Sequence, residues 1–360
     1  MPRVTVLSAI YKDAAFVRQA IESVLAQTFT DFELLIMNDA SVDDSRTIAA
    51  SYNDPRIRIV DNDHNLGLTK SLNRGLALAR GELIARFDGN DVCFPQRLAK
   101  QVEFLDEHPD VAVVGVQSTI IDTAGNRIRR AETHRPTTQA GIRWCSIFDT
   151  PLIHSGVMYR RSVVWDDLGG YDETFTVGQD NELWLRVGRK YRLANLDEKL
   201  MAVRSDPRSI SADVSLPIRR GHTARFESLI HANMQQNLAW PDVPRDWAAA
   251  WVEWNDPSAT PEPSRIRLLT DALDECRKRF ATIEPSSRND HEVNSHHAFM
   301  LSRGLWQIAT RDRLLALAMW RRVLSLDPAT ALRSMPKLTA LITLGELPLR
   351  LVRARRSGRM

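Results

Sequence analysis

The sequence predicts an α/β protein, a doubly wound and mostly parallel sheet, followed by an all-helical C-terminal region. Three observations predict it. Short apolar runs alternate with amphipathic stretches of helical period from residue 4 to residue 116, joined by short connections. Several of those runs break abruptly into Asp, Asn, Gly and Ser, the turn chemistry of strand ends. From about residue 216 onward only helical periodicity remains. A chain of 360 residues favours two domains, which these patterns divide as 1–215 and 216–360.

The elements follow in order. Residues 4–10 are β-rich and form the first strand. Asp13 is the expected cap of a helix in which Val17, Ile21, Val24 and Leu25 share one face. Residues 33–37 form the next strand, which runs into Asn38, Asp39, Ala40 and Ser41. Asp43 and Asp44 suit the first turn of another helix, where the dipole favours carboxylates. Residues 57–60 are a third strand, and Leu68, Leu72, Leu76 and Ala79 stripe a helix that stops at Gly81. A fourth strand ends at Asp88, a helix spans 95–108, and a further strand covers 111–116. Parallel strands point one way. Tyr11, Asp39 and Asp88 each follow a separate strand, so one sheet edge is expected to gather them, and ligands of open α/β sheets bind at that edge.

Between about residues 120 and 180 the pattern loosens, and this stretch is expected to form the far side of a cleft. His154 lies in it, as a ligand-contacting residue or as a structural, hydrogen-bonded histidine. Asp180 stands where a helix begins, with Leu183 and Val187 starting its apolar stripe. Trp184 reads as core; Glu182 and Arg186, four apart, are spaced to pair with each other. Residues 191–196 form the last strand, and Pro207 with Ser209 and Ser211 marks a boundary.

In the C-terminal region Trp240, Trp247, Trp251 and Trp254 crowd one stretch as core or interface anchors. Residues 255–264 resemble a linker, and 291–330 a helical hairpin of the tetratricopeptide kind, a single pair rather than an array. The tail 338–360 pairs leucines with Arg350, Arg353, Arg355 and Arg356. It reads either as a solvated basic tail or as an amphipathic segment on anionic lipid.

Composition excludes several classes. A net charge of +3 is too small to indicate nucleic acid as a partner. Three widely spaced cysteines give neither a disulfide framework nor a zinc pattern and fit a reducing compartment. Residues 4–10 enter a strand directly, without the layout of a signal peptide, and no apolar stretch is long enough to span a bilayer. The expected location is the cytoplasm, with peripheral contact on the inner face of the cytoplasmic membrane if the tail binds lipid.

The chemistry concentrates at Asp88-Gly89-Asn90-Asp91. Three oxygen-bearing side chains within four residues, at a strand end, can hold a hard divalent cation. The same tetrapeptide also makes an ordinary surface turn. Its neighbours bear on the choice. Taken in order, Val4 to Lys12, Gln27-Thr28-Phe29-Thr30-Asp31-Phe32-Glu33, Asn38-Asp39-Ala40-Ser41, Asn65-Leu66-Gly67-Leu68, Ala85-Arg86-Phe87-Asp88-Gly89-Asn90-Asp91, Pro95-Gln96-Arg97-Leu98, Gly169-Gly170-Tyr171-Asp172-Glu173 and Gln179-Asp180-Asn181-Glu182-Leu183-Trp184-Leu185-Arg186 resemble a family-2 glycosyltransferase over about residues 3–213.

That resemblance implies a GT-A fold with a doubly wound mixed sheet. It also implies an inverting, metal-dependent transfer from a nucleoside-diphosphate sugar, UDP foremost, to a glycan or lipid-linked acceptor in the bacterial cell envelope or exopolysaccharide. By the same resemblance Tyr11 stacks on the base, Asp39 hydrogen-bonds the uracil, and Asp88, Asn90 and Asp91 hold ribose and Mg²⁺ or Mn²⁺. Gly89 belongs to that nucleotide turn and Asp180 is the general base. On that reading His154 orients the acceptor or contacts diphosphate unless it is structural, and Glu182 is an acceptor-side candidate unless it pairs with Arg186. Arg86 supports the site by charge toward phosphate and Arg97 by packing, or either forms a structural ion pair. Three positions depart from the family pattern: Asn90 stands for a second aspartate, Asn38 for an aspartate before Asp39, and Gln179 for a glutamate before the base. Asn90 can ligate a cation through its carbonyl but adds no charge, so cation affinity should fall or Asp91 should take over. A nucleotidyltransferase and a non-catalytic nucleotide-sugar binder or scaffold are the alternatives; the first would need a basic phosphate loop where residues 8–13 offer only Lys12.

Overall fold

The computed structural model describes residues 1–129, 134–207, 216–255, 262–308 and 312–332. The first half runs β1 (Val4–Ile10), α1 (Val17–Leu25), β2 (Phe32–Asn38), α2 (Ser45–Ala50), β3 (Ile57–Asp61), α3 (Leu68–Leu78), β4 (Leu83–Asp88), β5 (Val92–Cys93), α4 (Arg97–Glu107) and β6 (Val111–Ile121). Then come α5 (Gln139–Phe148), a 3₁₀ turn at His154–Gly156, β7 (Met158–Arg160), a π-helical turn at Ser162–Asp167, α6 (Gln179–Lys190) and β8 (Arg192–Arg204). The helices α7 (Leu216–Asn237), α8 (Arg245–Asn255), α9 (Pro263–Ile283), α10 (His291–Ile308) and α11 (Arg313–Leu326) complete it.

One sheet holds all eight strands, in the order β3-β2-β1-β4-β7-β6-β8-β5. The pairings among β1, β2, β3 and β4 and between β6 and β8 are parallel; β7 and β5 pair antiparallel. The sheet is therefore mixed, and parallel mainly in its first half. On one face Val6, Ile10, Ala85 and Phe87 pack against Val17 and Ile21 of α1 and Leu98 and Leu105 of α4. On the other, Leu7, Met37 and Ile84 meet Leu72 and Leu76 of α3 and Leu183 and Trp184 of α6. Cover on both faces explains why these strands read as continuous apolar runs.

Asp13 does not cap α1. The helix starts at Val17 without a side-chain cap, and the Asp13 carboxylate accepts the Tyr11 N–H instead, at 3.1 Å. A lost cap costs about 1 kcal/mol. Burial of Val17, Ala20, Ile21 and Val24 outweighs it, at about 1.5–3 kcal/mol for each Val or Ile. Two elements also differ from the sequence expectation. Helix α5 falls in the stretch expected to be irregular, and β8 runs 13 residues rather than ending near 196.

The chain divides into two compact units, Met1–Ile142 with Asp149–Arg219, and Arg143–Phe148 with the chain from Arg220 onward. In the second unit the Trp251 indole donates to the Phe148 carbonyl at 2.9 Å, and Trp144 packs on Phe280 with ring centres 5.4 Å apart. Trp240 meets Trp247 edge-on, and the Arg279 guanidinium lies 3.5 Å from the centre of the Trp240 ring. Helices α10 and α11 form a hairpin, with Asp312 capping α11 by accepting the Leu315 N–H. The Trp254 side chain and the basic tail 338–360 lie outside the described residues. Among the described residues no helix is long and apolar enough to cross a membrane.

Candidate active site

Strand register sets the site. Ile10 pairs with Asn38, and Ala9 pairs with Asp88, so Tyr11, Asp39 and Asp88 emerge on one rim. Tyr11 is 41% exposed, with the Lys12 ammonium 5.0 Å from its ring centre. Lys12 and Ala40, just past adjacent strands, both hold a left-handed backbone (φ 59° and 54°). Each costs about 1–2 kcal/mol, strain that gathers where a ligand is bound.

Asp39 is buried and already engaged. It accepts the Leu66 N–H at 2.8 Å, the Gly67 N–H at 2.9 Å and the Asn62 amide at 2.7 Å. It thus anchors the Asn65-Leu66-Gly67 loop to the rim, and its Oδ2, with only the Gly67 N–H hydrogen-bonded to it, keeps capacity for another donor. Asn38 stands behind it, donating to Asp61 at 2.8 Å and accepting from the Ser41 N–H.

The turn after β4 is built around Arg86. Strand alternation puts Arg86 and Ile84 on the α6 face, and its guanidinium is enclosed; only 2% of the side chain is exposed. Nη1 lies 2.5 Å from Asp88 Oδ2, yet neither Nε nor Nη1 has an aligned hydrogen-bond acceptor. Asp91 is also buried. Its Oδ1 accepts the Arg204 N–H at 2.8 Å and the Ser155 hydroxyl acts on the carboxylate, while Oδ2 has no aligned hydrogen-bond donor. Burial and then the neighbouring Asp88 charge push the Asp91 carboxyl up to about 7. Gly89 leaves no room for a side chain: a Cβ there would sit 2.7 Å from Ile10 Cγ2 and 3.1 Å from Asp13 Oδ2.

Asp180 opens α6 opposite this turn. Burial raises its carboxyl above the ordinary carboxylate range, while backbone hydrogen bonds and the Arg86 charge pull the other way. Tyr171 lies between them; burial pushes its phenol up to about 12, and both Asp180 and Asp88 act on it. His154 Nε2 sits 2.9 Å from the Tyr171 hydroxyl, and burial beside Arg86 keeps the imidazole neutral by holding it well below its usual range. Glu182 does not face the cleft as a free group. It forms a bidentate pair with Arg186 at 2.6 and 2.8 Å, and Arg186 also donates to the Leu168 and Gly170 carbonyls. Arg86 thus gathers Asp88, Asp91, Asp180, Tyr171 and His154 around one buried positive charge.

Among the described residues no group of three or more His, Cys, Asp and Glu side chains is arranged to hold a metal. Asp88 and Asp91 nonetheless fit a cation as a pair. The two carboxylates repel each other, and Asp91 Oδ2 is buried without an aligned donor, the situation a hard dication relieves.

Two supports escaped the sequence reading. Arg204 donates to the Asn90 carbonyl at 2.8 Å, the Asp122 carbonyl at 2.9 Å and Gln19 Oε1 at 2.7 Å, and its guanidinium lies over the Phe16 ring. It clamps the Asp88 turn to α1 and to the turn after β6. Arg204→Met should destabilise the protein by about 2–4 kcal/mol, because each orphaned acceptor costs roughly 1–3 kcal/mol and methionine packing offsets part of it. Urea denaturation measures this; an unchanged midpoint would contradict the clamp. Asn73 of α3 is the second support. It donates to the Tyr171 carbonyl and accepts the Tyr171 N–H, both at 2.8 Å. Gly170 beside it has φ 79°, and a Cβ there would meet Asn73 Oδ1 at 2.6 Å. A buried arginine or asparagine looks, in sequence, like any surface polar residue.

A parallel block that brings carboxylates to one rim, joined to a mixed half that carries a further carboxylate on a helix, is the GT-A arrangement of nucleotide-sugar transferases. The comparisons agree. Residues 5–168 match the model of glycosyl transferase family 2. The chain is 37% identical over 212 residues to EpsE of Bacillus subtilis (strain 168), described as a glycosyltransferase, covering 57% of this chain and 74% of that one. It is 31% identical over 191 residues to the amylovoran biosynthesis glycosyltransferase AmsE of Erwinia amylovora, covering 52% of this chain and 70% of that one. Among solved structures, residues 1–349 of S. aureus TarS in complex with UDP superpose with a TM-score of 0.52 at 16% identity, covering 95% of this chain and 92% of that one. The chain belongs to glycosyltransferase family 2. That membership sets aside the nucleotidyltransferase alternative.

Proposed function

We propose that this glycosyltransferase moves a sugar from a nucleoside diphosphate, UDP foremost, to a hydroxyl of a glycan or lipid-linked acceptor, with inversion and with help from Mg²⁺ or Mn²⁺. The observation that carries the proposal is the gathering of Asp88 and Asp91 from the β4 turn and Asp180 from α6 around the Arg86 guanidinium. Two supports come from relatives. The TarS fold is known with UDP and with UDP-GlcNAc, and AmsE is named for amylovoran biosynthesis, which favours an exopolysaccharide or cell-envelope product.

The roles follow from position. The exposed Tyr11 ring offers a stacking face for the base, and the free capacity of Asp39 Oδ2 suits a base N–H. Asp88, Asp91 and Asn90 would hold the cation, which supplies Lewis-acid stabilisation of the leaving diphosphate. Asp180 takes the proton of the attacking hydroxyl, and its raised carboxyl improves it as a base near neutral pH. One displacement from the opposite face needs no carboxylate nucleophile, so inversion follows. The neutral His154, held by Tyr171, would orient the acceptor. Glu182 holds Arg186 and the Gly169-Gly170 loop instead of binding acceptor. The chain is proposed to work in the cytoplasm, with the basic tail as a peripheral contact to the membrane.

A screen of nucleotide sugars for hydrolysis, read as UDP or GDP release with and without Mn²⁺, tests the proposal. Mn²⁺-stimulated UDP release from at least one UDP-sugar is expected. Failure to release any nucleotide, together with no UDP binding by calorimetry, would leave a non-catalytic scaffold as the better account.

A further inference from the structure

We infer that Arg86 is the resting counter-charge of the cation site: it pairs with Asp88 before ligand arrives, opposes the cation, and then turns its donors to the diphosphate. The inference rests on the reading of Asp88 and Asp91 as cation ligands. It adds an antagonism between a residue of the chain and the cation.

The geometry supports an exchangeable partner rather than a permanent one. A buried guanidinium in a settled structural role has its N–H groups satisfied. Arg97, eleven residues on, shows the settled case. It is fully buried and donates to Gln101 Oε1 at 3.1 Å, to the Arg86 carbonyl at 2.7 Å and to the Val157 carbonyl at 3.2 Å. Arg86 is equally buried, yet its Nε and Nη1 lack aligned acceptors, and the Asp88 contact is one of charge. Asp91 Oδ2 across the turn likewise lacks an aligned donor. Unused donors and an unused acceptor thus stand on either side of Asp88.

The charges give the direction. With both carboxylates ionised, Asp88, Asp91 and Arg86 sum to −1, and a bound dication takes the sum to +1. A diphosphate then meets an electropositive site. The guanidinium therefore lowers affinity for the cation alone and raises affinity for the diphosphate once the cation is present. Asn90 sharpens this balance, because it brings no charge to offset Arg86.

The test is equilibrium binding without turnover. Mn²⁺ alone is titrated by electron paramagnetic resonance, and UDP at saturating Mn²⁺ by calorimetry, on the full chain. Arg86→Gln is expected to bind Mn²⁺ roughly tenfold tighter and UDP roughly tenfold weaker, opposite shifts that loss of a merely structural residue would not produce. Weaker or unchanged Mn²⁺ binding in Arg86→Gln overturns the inference. Arg86→Lys keeps the charge and guards against a misfolded glutamine variant, and its Mn²⁺ affinity should stay within about threefold of the parent. A tenfold shift in that variant, in either direction, also overturns it. If the parent protein binds no Mn²⁺ even with UDP, the cation reading of Asp88 and Asp91 fails, and this inference falls with it.

Discussion

Asp180→Asn should lose about three orders of magnitude in sugar transfer, within the range for removal of a general base, while UDP binding stays within about twofold. The substitution keeps the shape of the side chain and removes its ability to take a proton. The pH profile should change with it. As the proposed base, Asp180 works only when deprotonated, so transfer by the parent should rise as pH climbs through its pKa. Burial places that limb above the ordinary carboxylate range. The limb should vanish in the variant. Stability should move the other way. A carboxyl whose folded pKa is raised contributes its stability below the unfolded pKa and loses it as pH rises through the folded one. At neutral pH Asp180 is thus a cost to the fold, and the amide variant should melt no lower than the parent. Equal turnover by the two proteins in a sugar-transfer assay would remove Asp180 from the mechanism.

Arg97→Ala should destabilise the protein by about 3–5 kcal/mol, the range for large truncations in a core. The guanidinium ties α4 to the Arg86 carbonyl on β4 and to the Val157 carbonyl before β7, and contacts Cys93 Sγ at 3.2 Å. Alanine opens a cavity and takes a donor from the Arg86 carbonyl and from Gln101 Oε1, while the Val157 carbonyl keeps the Arg86 N–H at 3.0 Å. Arg56→Ala is the control. Arg56 pairs with Asp54 at 2.8 Å on the partly exposed rim of β3, and its loss should cost no more than about 1 kcal/mol. A denaturant midpoint for Arg97→Ala no lower than that of the control would show that the buried fork contributes little.

The strands that deliver the site were legible because each is a short, largely apolar run, β2 closed by Asn38 and β4 by Asp88. β1, β2 and β4 are covered on both faces, so sequence and burial coincide. Other parts were masked by local chemistry. The Asp197-Glu198-Lys199 stretch looks like a turn, yet β8 continues through it because its pairing with β6 tolerates register shifts near Gly115 and Gln117. Helix α5 carries Gly141 and little periodic signal, and tertiary burial of Trp144, Ile147 and Phe148 holds it. Asp13 had the right spacing for a cap and took a nearer amide. Glu182 and Arg186 had the right spacing for a pair and made one. The candidate base, the turn at Asp88, the rim residues and the supports Arg86 and Arg97 could be named from the chain and its family resemblance; Arg204 and Asn73 could not, because burial of a polar side chain leaves no mark in sequence.

The β4–β7 ladder has only three rungs, Leu83 with Arg160, Ile84 with Tyr159 and Ala85 with Met158. Those rungs bind the donor rim to the strand that leads toward Tyr171. Sixty-nine residues intervene between Asp88 and Met158, and some of them keep the rungs in step: β6 pairs with β7 at Val113 and Val114, and Arg97 reaches both the Arg86 and the Val157 carbonyls. A graft that replaces this segment with a homologue's should therefore keep Arg97 and the β6 rungs if the proposed nucleotide-sugar rim is to stay put.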